Sequence, residues 1–371
     1  YTSQPYLKQF LYINNHFSNE YIKFYHITMA AFKLNIFLAI VTLGFPKGYA
    51  TTPTCATETR CNDHSDPLPL KVIAIVAILI SSMIGVTAPF FTRSIKALHP
   101  EGNLFLVVKT FASGIILATG FMHVLPDSFA MLSSSCLNSN PWHLFPFSGF
   151  VAMVSAILTM MIDSLATSVY SRKSRSVDAS NEQEIADPEA NKEVHFHGHH
   201  HSHNSAPGET QLLRYRVIAM VLELGIVVHS VVIGLSLGAS NNVCTIRGLV
   251  AALCFHQMFE GMGLGGSILQ AEFKFLKKAI MAFFFSVTTP FGIALGIALS
   301  KVYSPDTPKS FIIEGLLNAC SAGLLIYMAL VDLLAVEFMG NRLQSNRMLF
   351  FLCSAAVMVG AGLMSVLAKW A

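Results

Sequence analysis

The chain has 371 residues, of which 53% are hydrophobic and only 12% charged, with a mean hydropathy of +0.55. A soluble globular chain carries about 25% charged residues, so the composition excludes one and indicates a polytopic membrane protein. The formal net charge of +3 is small and its basic residues fall in inter-helix loops rather than in one patch, which excludes nucleic acid as a partner.

Residues 1–28 contain no methionine and no clean periodicity, and read as an extension upstream of a start at Met29. From Met29 come Lys33, an apolar stretch from Ile36 to Phe45, and Gly48-Tyr49-Ala50 with small residues where a signal peptidase cuts, so 29–50 reads as a signal peptide. The rival is an extra membrane helix over 34–50, but Pro46 and Lys47 close the apolar run early for a span. Residues 51–69 then form an outer N-terminal segment. In it Cys55 and Cys61, followed by Asp63, His64 and Asp66, either close a short disulfide loop or remain free thiols.

From Pro69 onward the pattern predicts an all-α fold of eight transmembrane helices, over 70–91, 104–125, 148–169, 217–238, 248–269, 279–299, 311–333 and 348–368. Helices 1–3 thus occupy 70–169 and helices 4–8 occupy 217–371. Lys and Arg concentrate after the first, third, fifth and seventh spans, as in Arg93 and Lys96, Lys274, Lys277 and Lys278, and Arg342 and Arg347. The alternate loops hold only Arg247, Lys301 and Lys309. The bias places the first set in the cytoplasm and both mature termini outside.

The spans echo one another. Val86-Thr87-Ala88-Pro89-Phe90 in the first resembles Val287-Thr288-Thr289-Pro290-Phe291 in the sixth, and Gly114-Ile115-Ile116-Leu117 resembles Gly323-Leu324-Leu325-Ile326, which places His123 opposite Asp332. Because spans one and six run in opposite directions, this predicts a three-helix inverted repeat, 1–3 and 6–8, around central helices 4 and 5.

The polar residues inside the apolar runs are the candidate site. His256 and Glu260 stand four apart, so on a helix they lie one above the other and can hold one cation, with Gln257 beside them. An unpaired carboxylate in hydrocarbon is costly, and such groups mark pathways or partners. In the preceding span His229 and Ser230, with Glu223 on the same side, face this pair in the expected packing. Mixed nitrogen and oxygen donors suit Zn, Fe(II) or Mn and exclude none of them. His123 and Asp127, again four apart, end the second span and read as an entrance or weaker relay site. Asp163 reads as a pathway or hydrogen-bonding acid. Asp332 reads as a residue of the route, and Glu337 either as that or as one of the water boundary.

The long loop 170–216 is acidic and then histidine-rich, with His195, His197, His199, His200, His201 and His203 in a run of nine residues. It buries too little apolar area to fold, so disorder is expected over the whole loop. Clustered neutral imidazoles chelate Zn, Cu, Ni or Fe(II), with affinity falling as pH drops toward about 6.5, which suits a receiving or sensing segment. Gly261-x-Gly263-x-Gly265-Gly266 lies in a span with no preceding strand, so it reads, like Gly234 and Gly238, as a close helix contact rather than a nucleotide fingerprint. No ATP-hydrolysing motif is present, which leaves gradients or the membrane potential as the driving force.

Four stretches carry a resemblance: Lys109-Thr110-Phe111-Ala112-Ser113-Gly114, Phe121-Met122-His123-Val124-Leu125-Pro126-Asp127, His229-Ser230-Val231-Val232-Ile233-Gly234-Leu235-Ser236 and His256-Gln257-Met258-Phe259-Glu260-Gly261. Over 51–371 the chain resembles the plant branch of the ZIP (Zrt/Irt-like) metal transporters, above all the root iron-regulated transporters and their zinc-transporting relatives. The resemblance implies eight helices, extracellular termini, a plasma-membrane location and import of divalent metal into the cytosol. It further implies that His229, Ser230, His256 and Glu260 form the central site with Gln257 as neighbour, and that 195–203 is a regulatory metal-binding segment. Such loops are similar to targets of phosphorylation and ubiquitin-dependent removal, which would make a kinase and a ubiquitin ligase partners and give Lys173 and Lys192 a role. A homodimer is compatible with this reading, and no cofactor is expected beyond the transported metal.

One departure matters. Bacterial relatives with two adjacent metals have His-Asn-x-Pro-Glu-Gly in the fourth helix, where this chain has His229-Ser230-Val231-Val232-Ile233-Gly234. Ile233 replaces a carboxylate, and a single central metal is expected. An intramembrane metalloprotease would need His-Glu-x-x-His, which is absent; a metal sensor would bind at the loop and carry no flux.

Overall fold

The computed structural model describes residues 66–92, 102–182, 207–300 and 307–369, all within one compact unit spanning Pro53–Ala371. Among the described residues the chain forms eight long helices: α1 (Leu68–Thr92), α2 (Asn103–Leu132), α3 (Phe147–Glu182), α4 (Pro207–Ala239), α5 (Val243–Gln270), α6 (Phe275–Leu299), α7 (Pro308–Phe338) and α8 (Arg347–Leu367). Local chemistry sets several of the starts. Asn242 accepts hydrogen bonds from Cys244 N (3.0 Å) and Thr245 N (3.2 Å) ahead of α5, and Asn346 from Leu349 N (3.1 Å) ahead of α8. Thr307 accepts from Ser310 N (3.3 Å) ahead of α7, whose first residue is Pro308. Each cap satisfies a donor that the first helical turn leaves open.

Seven of the eight are long and apolar enough to cross a membrane. The exception is α5, which has the length at 28 residues. Its apolar run is diluted by His256, Gln257 and Glu260, all of them completely buried. The helix expected to hold the site fails the hydropathy test because of the residues that define the site.

The helices pack in preferred pairs. α1 lies along α5 and α4 along α6, while α2 lies along α8 and α3 along α7. Glycine explains the pairing. A Cβ at Gly85 would meet the Met258 carbonyl, one at Gly265 the Val86 carbonyl, one at Gly234 the Thr289 carbonyl and one at Gly238 the Ile293 carbonyl. In the other set, Gly114 faces Val357, Gly360 faces Phe111 and Gly323 faces Ala152, again backbone to backbone. Between the two sets the glycines meet side chains instead: Gly263 meets Ile116, Gly266 the ring of Phe105, and Gly225 the thioether of Met328. α1, α4, α5 and α6 therefore form one tightly joined bundle and α2, α3, α7 and α8 a second. An apolar layer containing Ile116, Leu222, Leu264, Phe285 and Leu325 fills the space between them.

The expected sequence echoes have local counterparts. Pro89 lies inside α1 and Pro290 inside α6. α2 contains a π-helical stretch at Thr119–Val124 and α7 one at Met328–Ala335, and these hold His123 and Asp332, both buried. Widened turns of this kind are frequent at functional sites.

One end of the helices carries Arg214, Arg216, Lys274, Lys277, Lys278, Arg342 and Arg347 and is called the basic end. The other carries Cys136 and Cys244, each of which is in a disulfide; Cys254, Cys320 and Cys353 are free. The loop expected to be wholly disordered over 170–216 is helical at both edges, to Glu182 and from Pro207. A helix satisfies its own backbone and can run past the apolar stretch without burial, and no proline follows Phe147 in the sequence until Pro188. The segment 1–65, with the signal peptide, Cys55, Cys61, Asp63 and His64, lies outside the described residues, as do Lys192 and all six loop histidines.

Candidate metal centre

Three side chains converge where α4 and α5 meet. One ligand atom from each of His229, His256 and Glu260 lies within 4.8 Å of the other two, and all three residues are buried. Donors of a tetrahedral site at about 2.0–2.1 Å from the metal stand about 3.3 Å apart, so side-chain movements of about an ångström would suffice to close this triplet on a single ion. His256 and Glu260 reach one face because they are one helical turn apart.

His229 is oriented from behind. Its Nδ1 lies 2.9 Å from Ser321 Oγ on α7, which leaves Nε2 toward the cluster. Nε2 of His229, Nε2 of His256 and both carboxylate oxygens of Glu260 are buried with no hydrogen-bond partner in the structure, and so are Ser230 Oγ and both amide atoms of Gln257. An unmet buried polar group costs about 1–3 kcal/mol. Those of His229, His256 and Glu260 lie close enough together to hold a cation, and their nitrogen and oxygen chemistry fits a borderline dication.

His123 and Asp127, expected together at an outer entrance, divide between two environments. His123 Nδ1 is 3.7 Å from Asp127 Oδ2, but the His123 side chain is 2% exposed and that of Asp127 is 48% exposed. The His123 ring lies 6.3 Å from that of His256, little more than the 5.9 Å between His229 and His256. Its Nε2 has no hydrogen-bond partner. The π-helical turn swings His123 inward, so the pair bridges the centre and the surface.

Glu223 does not join the triplet. It lies six residues before His229, roughly 9 Å along the helix axis at 1.5 Å per residue, and its charge acts on Lys277 near the basic end. Glu337, for which the sequence left open a place on the route or at the water boundary, is 13% exposed and forms a 2.6 Å ion pair with the buried Lys109, which also donates to Gln270 Oε1 at 2.7 Å. This node ties α2 and α7 to the end of α5.

Asp163 stands apart from the triplet, in a cavity of about 510 Å³ at the basic end that also includes Arg214 and Asp332. Its Oδ2 accepts a hydrogen bond from Tyr327 Oη at 3.2 Å, whereas the buried Asp332 Oδ2 has no hydrogen-bond partner. Ser321, Tyr327 and the Lys109 node were not identified as functional from the sequence. Serine, tyrosine and lysine carry no spacing signal of their own, and only the contact across helices marks them.

The ZIP Zinc transporter family model matches residues 68–368. Among curated proteins, the chain is 60% identical over 341 residues to "Probable zinc transporter 8" of Arabidopsis thaliana, covering 91% of this chain and 97% of that one. It is likewise 60% identical over 341 residues to "Fe(2+) transport protein 1" of the same plant, with the same coverage. It is 53% identical over 346 residues to "Fe(2+) transport protein 2" of Oryza sativa subsp. japonica, covering 86% of this chain and 91% of that one.

Proposed function

The chain belongs to the ZIP family of metal transporters, a family of non-catalytic carriers for which the metal ion is substrate rather than resident cofactor, and on that premise we propose that it imports Fe²⁺, Zn²⁺ or both into the cytosol across the plasma membrane. The observation that carries this reading is the buried convergence of His229, His256 and Glu260 within 4.8 Å. Ser230, Gln257 and His123 complete the donor set around them, and Asp127 leads into it from the cysteine end. Mn²⁺ and Cd²⁺ fit the same donors and enter as competing substrates. With Ile233 in place of a carboxylate, the centre takes one metal.

In this reading α5 crosses the membrane with the seven apolar helices, giving eight spans with extracellular termini. The paired prolines, the paired π-helical turns and the symmetric helix pairing support an inverted repeat of α1–α3 and α6–α8 around α4 and α5. The two bundles, each joined backbone to backbone, shift against one another across the side-chain layer and expose the centre to either end in turn. Asp163 and Asp332 receive the ion on its way out at the basic, cytosolic end. For a dication a membrane potential contributes roughly 4.6 kcal/mol per 100 mV toward uptake. The histidines at 195–203 bind metal in a regulatory role, and the same loop serves a kinase and a ubiquitin ligase; the transporter works as a homodimer.

The test is accumulation of radioactive iron and zinc, alone and in competition, by metal-starved yeast expressing residues 29–371 beside a His256→Ala control. Uptake of either metal that the control lacks supports the reading. Absence of flux for both metals, with the protein at the cell surface, overturns it.

A further inference from the structure

The acids in the cavity at the basic end share it with a cation. Arg214 on α4 lines the same space as Asp163 on α3 and Asp332 on α7, and its charge acts on both acids. It forms a contact ion pair with neither: among the described residues no carboxylate lies within 4 Å of it, and its side chain is exposed. Asp332, in contrast, is 2% exposed and has an oxygen with no hydrogen-bond partner. An arginine is therefore held near a buried acid without being locked onto it.

We propose that Arg214 is a tethered competitor of the leaving metal ion, pairing with Asp163 and Asp332 as the dication departs and so setting the rate of its release. The inference rests on the export route assigned above to these two acids. Its physical basis is that two carboxylates in a partly desolvated cavity hold a dication tightly, whereas conduction needs a site weak enough to leave. A guanidinium stays charged at every working pH and cannot itself bind metal. It weakens the acids toward the ion and takes its place when the ion has gone. A residue present only to satisfy the positive-inside bias would have no effect on metal affinity.

The experiment uses full chain in nanodiscs, with His256→Ala in the background to weaken the central centre, titrated with Mn²⁺ and read by electron paramagnetic resonance. Arg214→Gln should tighten Mn²⁺ binding about tenfold, Arg214→Lys should restore most of the original affinity, and adding Asp332→Asn to Arg214→Gln should abolish the gain. With His256 intact, Arg214→Gln should lower the maximal uptake rate without raising KM. Unchanged Mn²⁺ affinity in Arg214→Gln, or a gain that survives Asp332→Asn, overturns the proposal. Should Arg214→Gln fail to fold, Arg214→Met and Asp332→Asn decide: the proposal requires tighter Mn²⁺ binding from the first and weaker binding from the second. Because these measurements are made at equilibrium and without transport, they stand or fall separately from the uptake assay with His256→Ala.

Discussion

Ser321 Oγ on α7 and Nδ1 of His229 on α4 lie 2.9 Å apart, both residues fully buried. This contact runs from one helical bundle to the other and fixes which nitrogen of His229 faces the cluster. If Nε2 takes the metal, Nδ1 has to carry the proton and donate it to the serine. Partners of this kind behind a ligating histidine are typically worth about 10–100-fold in metal affinity. Ser321→Ala should accordingly reduce uptake by about that factor with the protein still folded, whereas Ser321→Thr should keep much of it. Equal uptake by Ser321→Ala and the parent would show that the ring is held by packing alone.

Glycines two residues apart on α5 should respond in opposite ways. A Cβ at Gly265 would press on the Val86 carbonyl and on Pro89, which cannot move without shifting α1. At Gly263 the nearest atoms are Ile116 Cδ1 at 3.4 Å and Ala112 Cβ at 4.0 Å, an ordinary contact. Gly265→Ala should lower stability by about 1–3 kcal/mol, the usual cost of overpacking, seen as a drop in melting temperature in detergent. Gly263→Ala should melt with the parent, and matched losses in the two variants would contradict the packing described for α1 and α5.

Lys109 and Glu337 form a pair at 2.6 Å with side chains 3% and 13% exposed. Removing one member of a buried pair strands the other at a cost of about 3–5 kcal/mol. Lys109→Met alone and Glu337→Leu alone should each destabilise strongly, and the double variant should recover part of the loss. A double-mutant cycle on thermal unfolding measures the coupling; strictly additive effects would mean that Gln270, not Glu337, is the partner that matters.

Cys136 and Cys244 are disulfide-bonded and stand at the end of the helices away from the basic residues. Disulfides persist outside the reducing cytosol, so a membrane-impermeant maleimide applied to intact cells should label neither cysteine until a membrane-impermeant reductant is added, and then both. Labelling of Cys136 or Cys244 on intact cells without reductant would contradict the disulfides, and labelling only from the cytosolic side in inverted vesicles would reverse the orientation.

Much of this protein follows from local order in its chain. Apolar runs of membrane length produce helices whatever they pack against, because a backbone in a dry environment must satisfy itself, and all eight expected spans are helical, seven of them apolar enough throughout to cross a membrane. One helical turn places His256 and Glu260 on one face, and that too needs no tertiary information. The echoes around Pro89 and Pro290, and of His123 with Asp332, could be read before any contact was known.

Other features depend on distances between helices, which no spacing along one helix encodes. Only the packing of α4 on α5 brings His229 to His256 and Glu260, and only the position of α7 sets Ser321 behind His229. A widened turn in α2 moves His123 to the centre and leaves Asp127 at the edge, since one added residue per turn rotates everything after it. Glu337 could not be told from a boundary residue by its position, because its environment is made by Lys109, more than two hundred positions away in the chain. Local hydrogen bonding and hydrophobicity determine which segments are helices; the fit of glycine surfaces against neighbouring backbones decides which helices meet, and hence which polar groups share a site.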